Sequence, residues 1–293
     1  MPVPPTRPPE LRDQVFRGTT AVAAGLLTPD QLRSGAWRRL RKGVYADARL
    51  PVDHRLHARG VALVAPGSAV FSGLSAVVLW GGHEFADPQV PVEVTVPPGT
   101  RWQPGPGVVV REAVTAGDVV TGRDGLRRTA RVRTAVDLIR RGTLDDGVVL
   151  LDGLVAAGIV PLHPVRDAVA RLPRCRGSRL ARQVAELSDG LAESPPETRL
   201  RLLMLRAGLP KPSAQYRVFD AEGFLARVDF AFPGIKLAVE YDGAWHGRPG
   251  ELGRDRRRLN RLAAAGWRVL FVTAADMHAP GELLARLSEV VRP

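Results

Sequence analysis

Three residues able to do chemistry crowd into the stretch VEYDGAWHG, Val239 to Gly247: Glu240, Asp242 and His246. A fourth, Asp229, sits upstream in RVDF. Both stretches carry strand-like alternation, and a buried strand has no structural need for acids. With Pro233-Gly234 as the hairpin turn, Phe232 faces Ile235 and Asp229 faces Ala238. Side chains alternate along a strand and opposed residues share a face, so Asp229, Glu240 and Asp242 project from one side. In that register Asp229 and Glu240 are diagonal neighbours, roughly 7–8 Å apart at the backbone, and their carboxylates can meet at one ion. Carboxylates this close need a proton or a cation between them. Oxygen ligands with room for water suit Mg²⁺ or Mn²⁺. An ion held there can activate water and stabilise charge on a phosphate. The expected chemistry is metal-assisted phosphodiester cleavage, with Asp229 and Glu240 as metal ligands and Asp242 assisting. The competing reading for Glu240 is a cross-strand pair with Arg227, and for Asp242 a turn at the strand end.

The flanking elements supply the frame. SPPETRLRLLMLRAGLP predicts a helix with Ser194 as N-cap, Pro195 in the first turn, Glu197 closing a capping box and Gly208 as the stop. Strands are expected over Gln215–Val218, LARVDFAF and IKLAVEYD. An arginine-rich helix follows from Glu251 to Ala265, then a strand in WRVLFVT, then a helix opened by Pro280. The order is α-β-β-β-α-β-α. Arg254 and Arg258 fall one turn apart on the arginine-rich helix, either as phosphate contacts or as part of a solvated face. Gln215 on the first strand is a weaker candidate for the site. Trp245 is either core or a platform for stacking on a base.

An acid at the end of the second core strand and acids about eleven residues on in the third resemble the PD-(D/E)xK nuclease superfamily. RVDFAFPGIKLAVEYDGAWHG, with GWRVLFVT downstream, is more closely similar to its Vsr-type (very-short-patch-repair-like) branch, over about residues 190–293. That resemblance implies a restriction-endonuclease-like core, Asp229 as principal metal ligand, the Glu240/Asp242 strand as its partner, and His246 as acid/base. It also makes Glu197 a metal or water ligand as well as a cap. The lysine usual two positions after the acid is replaced by Asp242. Lys236 shares the face but lies about 13 Å back along the strand. His246, whose imidazole titrates near neutrality, is left to handle the proton.

The rest of the chain divides into a head, residues 1–50, and a mixed α/β middle region, residues 51–190, before the endonuclease-like region at 191–293. The fold class expected for the whole is mixed α/β. In the head, apolar periodicity predicts a helix from Glu10 to Ala24. A second helix is capped by Thr28, Pro29 and Gln31, and AWRRLRKGVYA reads as a short basic helix running into a strand. That is the order of a winged helix. VAAGLLTPDQLRSG, RKGVYA, FSGLSAVVLWGG and RTAVDL resemble AbiEi-type antitoxin proteins, which implies a DNA-linked regulatory role and a toxin partner. The basic helix and wing are compressed between Ser34 and Tyr45, too short for a full recognition helix. In the middle region PVEVTVPP and GVVVRE read as strands, RTAVDLIRRG and DDGVVLLDGLVAAG as helices.

Composition bounds the function classes. The single Cys175 excludes an intrachain disulfide framework and suits a reducing cytosol. The opening MPVPPTRPPE holds no apolar core, so no secretory signal is expected. Gly60 to Gly82 is free of charge but broken by Pro66, Gly67 and Gly73, and reads as two short buried helices rather than a membrane span. The net charge of +12 points to a polyanionic partner, DNA above all. The leading expectation is a cytoplasmic, Mg²⁺- or Mn²⁺-dependent DNA endonuclease. The alternatives are an antitoxin-like DNA-binding regulator with an inactive nuclease fold, and a protein-partner role in which the acids pair with arginines.

Overall fold

The computed structural model describes residues 7–115, 117–243 and 251–291. The chain divides into two compact units, Met1–Leu138 and Ile139–Pro293. Among the described residues no helix is long and apolar enough to cross a membrane.

The first unit holds β1 (Val15–Arg17), α1 (Gly18–Ala23), β2 (Trp37–Arg41), β3 (Val44–Asp47), α2 (His54–Ala62), β4 (Val70–Phe71) and α3 (Gly73–Leu79). It continues with β5 (Val92–Val96), β6 (Val108–Glu112), β7 (Val119–Thr121), β8 (Arg127–Thr129) and most of α4 (Arg131–Ile139). Its strands form a three-stranded sheet, β1-β3-β2, and a five-stranded sheet, β6-β5-β4-β8-β7. The two short helices expected between Gly60 and Gly82 are present in part as the end of α2 and the whole of α3.

Two expectations for the head are corrected. The helix from Glu10 to Ala24 is instead a turn, the strand β1 and the six-residue α1. Asp13 takes a positive φ of 55°, which interrupts any helix, and β1 pairs antiparallel with β3. Phe16 then packs edge-on against Trp37, ring centroids 5.1 Å apart, and stacks on Tyr45. The basic helix is also absent: Trp37–Arg41 is strand β2, with Trp37 buried and Arg39 exposed. The cap at Thr28 forms reciprocally, Thr28 N donating to Gln31 Oε1 at 2.8 Å and Gln31 N to Thr28 Oγ1 at 3.2 Å. It opens only one turn, Gln31–Arg33.

The second unit begins with α5 (Leu144–Ala156), α6 (Leu162–Ala170) and α7 (Ser178–Leu187). It proceeds through α8 (Pro195–Arg206), β9 (Ser213–Asp220), β10 (Gly223–Phe232), β11 (Leu237–Asp242), α9 (Glu251–Ala264), β12 (Arg268–Thr273), α10 (Ala274–His278) and α11 (Pro280–Val291). The order from α8 is the one expected, with the short α10 added. The sheet runs β12-β11-β10-β9, antiparallel except for the parallel β11–β12 pair. Phe230, Phe232, Leu237 and Val239 pack with Leu200 and Met204 of α8 and Leu283 and Leu287 of α11. Ala231 and Ala238 pack with Leu262 of α9 and with Trp267. The small alanines let α9 approach the sheet closely. Gly208, φ 68°, ends α8 where expected.

Candidate active site

The β10–β11 hairpin brings the acids together. Its register pairs Phe230 with Val239, Ala231 with Ala238 and Phe232 with Leu237. One step further sets Asp229 opposite Glu240. This corrects the diagonal register read from the sequence. The connection is not Pro233-Gly234 alone but a tight turn over Pro233–Ile235 followed by Lys236 at φ 47°. The partner of Phe232 therefore moves by two residues, an even shift, and the acids keep their common side.

Asp229 is half-buried, and its Oδ2 accepts the Tyr241 N–H at 2.8 Å. Burial pushes its pKa up to about 6; the Tyr241 bond opposes the shift, while the carboxylates of Glu197, Glu240 and Glu193 add to it. Glu197 lies buried in the first turn of α8. Ser194 caps α8 as expected, Glu197 N donating to Ser194 Oγ at 3.4 Å, and Ser194 Oγ donates to Glu197 Oε1 at 2.7 Å, but the box is not closed on the Ser194 N–H. The other oxygen, Oε2, accepts Glu193 N at 2.9 Å and Gln215 Nε2 at 3.0 Å. Gln215 thus reaches Glu197 from β9, and does so with a left-handed φ of 47°.

Glu240 is 9% exposed and is gripped by α9. Arg258 donates from Nη1 to Oε1 at 2.6 Å and from Nη2 to Oε2 at 3.0 Å. The same guanidinium reaches Asp255 from Nε at 3.1 Å and Nη2 at 2.8 Å. These bonds, the Glu240 pair first, hold the Arg258 pKa above its ordinary value against the opposing effect of burial. Glu240 is therefore paired, but not with Arg227, whose Nη2 donates to Glu193 Oε2 at 2.7 Å. Arg258 is turned in upon the acids, while Arg254 stays exposed on α9 beside the exposed Arg256 and Arg257. Asp242 is exposed at the end of β11. Lys236 stays away from the acids, its Nζ donating to Ala265 O at 3.0 Å. His246 and Trp245 lie outside the described residues.

Sequence reasoning did not find the Arg258–Glu240 pair or the contribution of Glu193. The i,i+3 spacing of Asp255 and Arg258 was a readable sign that this arginine faces its own helix's acid. The link to Glu240, eighteen residues away, depends on how α9 returns over the sheet.

Among the described residues no group of three or more His, Cys, Asp or Glu side chains is arranged to hold a metal ion. The chemistry at Asp229 nonetheless suits a hard divalent cation. The donors are all oxygen, and Asp229 with Glu197, which has no ion-pair partner among the described residues, leaves negative charge that a cation would offset, while Glu240 and Glu193 are paired with Arg258 and Arg227. Glu240 would join such a site only if Arg258 released it.

No family model matches the chain. It is similar to the uncharacterized proteins MT2308 and Rv2248 of two Mycobacterium tuberculosis strains, CDC 1551 / Oshkosh and ATCC 25618 / H37Rv. Each is 33% identical over 261 residues, covering 88% of this chain and 93% of the relative. Among solved structures, the catalytic domain of the homing endonuclease I-Bth0305I matches 32% of this chain and 91% of its own, at 24% identity and a TM-score of 0.27. The RV2827C protein of Mycobacterium tuberculosis matches 71% of this chain and 84% of its own, at 18% identity and a TM-score of 0.38. With a third of its residues shared across nearly the full length of both relatives, the chain belongs to the family of MT2308 and Rv2248.

Proposed function

We propose that the second unit is a cytoplasmic DNA-directed phosphodiester hydrolase centred on Asp229. The observation that carries this reading is the crowding of Asp229 by Glu197, Glu240 and Glu193, beside a helix that exposes Arg254, Arg256 and Arg257. The Vsr-like sequence RVDFAFPGIKLAVEYDGAWHG supports it further. A structural carboxylate gains nothing from like neighbours, whereas one that meets a cation and a phosphate does. Asp229, with Glu197 and Glu240 nearby, would hold Mg²⁺ or Mn²⁺, which would supply activation of water and screening of phosphate charge.

The chain's own groups then have distinct tasks. Gln215 and Ser194 fix the Glu197 carboxylate, which orients water at the site. Arg258 offers a planar fork that fits a phosphate as well as it fits Glu240. Arg254 and its exposed neighbours hold the backbone of the strand, and Trp245 stacks on a base. Asp242 assists at the end of β11, and His246 handles the proton.

The test is nicking of supercoiled plasmid with Mg²⁺ or Mn²⁺ by wild type and Asp229→Asn. Cleavage by wild type, falling at least about 100-fold in the variant, is expected, a loss of about 2.7 kcal/mol of transition-state stabilisation. Absence of nicking with both ions, or equal nicking by both chains, overturns the reading.

A second reading has its own support. Arg258 neutralises Glu240 without any metal, as in a site that has kept its shape for binding DNA and acts in an antitoxin-type regulator with a toxin partner. Metal-independent, salt-sensitive gel shifts in EDTA without cleavage in Mg²⁺ would select it.

A further inference from the structure

The first unit contains a cavity of about 290 Å³ between the end of β2, helix α2 and the segments leading into β5 and β6. We propose that it binds a small organic anion, a carboxylate or phosphate monoester group on a compact body, gripped by Arg41 and hydrogen-bonded by His57. The proposal is independent of the phosphodiesterase reading, which concerns the second unit.

Charge is the first argument. Arg41 and His57 line the cavity, and no acidic residue does. Among the described residues the basic groups have no acidic partner: Arg38, whose charge acts on His57, donates to the backbone carbonyls of Leu50 and Ala48. Asp53, the acid whose charge acts on His57, is engaged in capping α2, accepting Leu56 N at 2.6 Å. Burial lowers the pKa of His57 first of all; Asp53 opposes this, and the charges of Arg41 and Arg38 reinforce it. A neutral imidazole offers one donor and one acceptor to a ligand.

Unsatisfied bonding is the second. Arg41 is half-buried, and its one hydrogen bond among the described residues runs from Nη2 to Pro106 O at 3.3 Å. Its Nη1 is buried without a partner among the described residues. Burial alone lowers the Arg41 pKa, with no acid to restore it. A desolvated guanidinium without a counter-charge is costly, and an oxyanion in the adjoining cavity would offset that cost. Its planar fork matches carboxylate and phosphate oxygens.

Shape sets the size of the ligand. The volume falls at the small end of ligand pockets, which run from about 300 to 1,000 Å³. Leu40, Val61, Val90 and Val92 provide an apolar wall for a compact body. A concave space of this kind admits a free small molecule more readily than a phosphate fixed on a duplex.

The test is calorimetry on the full chain with three probes: inorganic phosphate, a nucleoside 5′-monophosphate and benzoate. At least one is expected to bind one site with a Kd below about 1 mM. Arg41→Gln should weaken that binding at least about tenfold, and Arg41→Lys should recover part of the loss. The arms separate the phosphate from the carboxylate source. A structural role for Arg41 is distinguished by melting: without ligand, Arg41→Gln should melt no lower than wild type. The proposal is overturned if no probe binds below about 1 mM or if wild type and Arg41→Gln bind alike. A lowered melting temperature in Arg41→Gln, or Arg41-dependent binding of duplex DNA alone, overturns it equally.

Discussion

Two arginine–carboxylate clusters in the second unit are built from the same chemistry and stand in opposite conditions. Arg201 and Asp152 join α8 to α5 with side chains 2% and 1% exposed. Arg201 donates to Asp152 Oδ2 at 2.7 Å and to Leu187 O at 2.6 Å, and its Nε lies 3.2 Å from Asp189 Oδ2. Asp152 also accepts Thr198 Oγ1 at 3.1 Å and the N–H groups of Asp189 and Gly190, each at 2.9 Å. Asp152 is filled from several directions, and Arg201 is held at both terminal nitrogens while its buried Nε forms no hydrogen bond among the described residues. At the other cluster Arg258 is 28% exposed, and Asp229 is crowded by acids and lacks a cationic partner among the described residues. Buried, charge-paired bonding ties α8 to α5, while surplus charge at a solvent-reachable point leaves something for a ligand to do.

That contrast can be broken by mutation, and the largest effect belongs to the buried cluster. Asp152→Ala strands Arg201 in the core and should lower unfolding free energy by about 3–5 kcal/mol, measured by denaturant melts. If the loss is under about 1 kcal/mol, the cluster is not the lock described. Next comes Asp229→Asn, which should cut nicking about 100-fold, or about 2.7 kcal/mol, while leaving the apo-protein at least as stable as wild type. Arg258→Gln should tighten Mn²⁺ binding about tenfold by freeing Glu240, with calorimetry as the readout. An unchanged Mn²⁺ affinity would mean that Glu240 is no ligand.

An effect of similar size to that of the Arg258 change is on pH. Native Asp229 holds its proton more tightly than an ordinary carboxyl, about 6 against 3.8. Between those values the folded state binds more protons than the unfolded one, so stability falls as pH rises from about 4 through 6. The decline should be about 1–2 kcal/mol after allowance for solvent screening, and should vanish in Asp229→Asn.

Much of the second unit was legible in the sequence because its signals are local. Ser194, Glu197 and Gly208 mark the ends of α8 through capping and stop chemistry that each segment carries itself. The common side of Asp229 and Glu240 survived a register error because strand faces repeat every two residues and the turn gained two. The pairing of Arg258 with Glu240 was hidden because it depends on tertiary placement of α9. The head failed for the converse reason. The apolar spacing of Glu10–Ala24 suits a helix, but Phe16 gains more by pairing beside Tyr45 and against Trp37 than a single short helix offers.

The left-handed residue Gln215 has a consequence beyond the site. Strand β9 is the last in its sheet, so one row of its backbone groups has no neighbouring strand. A straight outer strand is a template for another chain, and contact between such templates leads to aggregates. A residue with φ of 47° at the third position of β9 interrupts the extended backbone of that template, with Tyr216 to Asp220 following it. The amide that holds Glu197 thus belongs to the residue whose left-handed backbone makes the outer strand a poorer template for a second molecule.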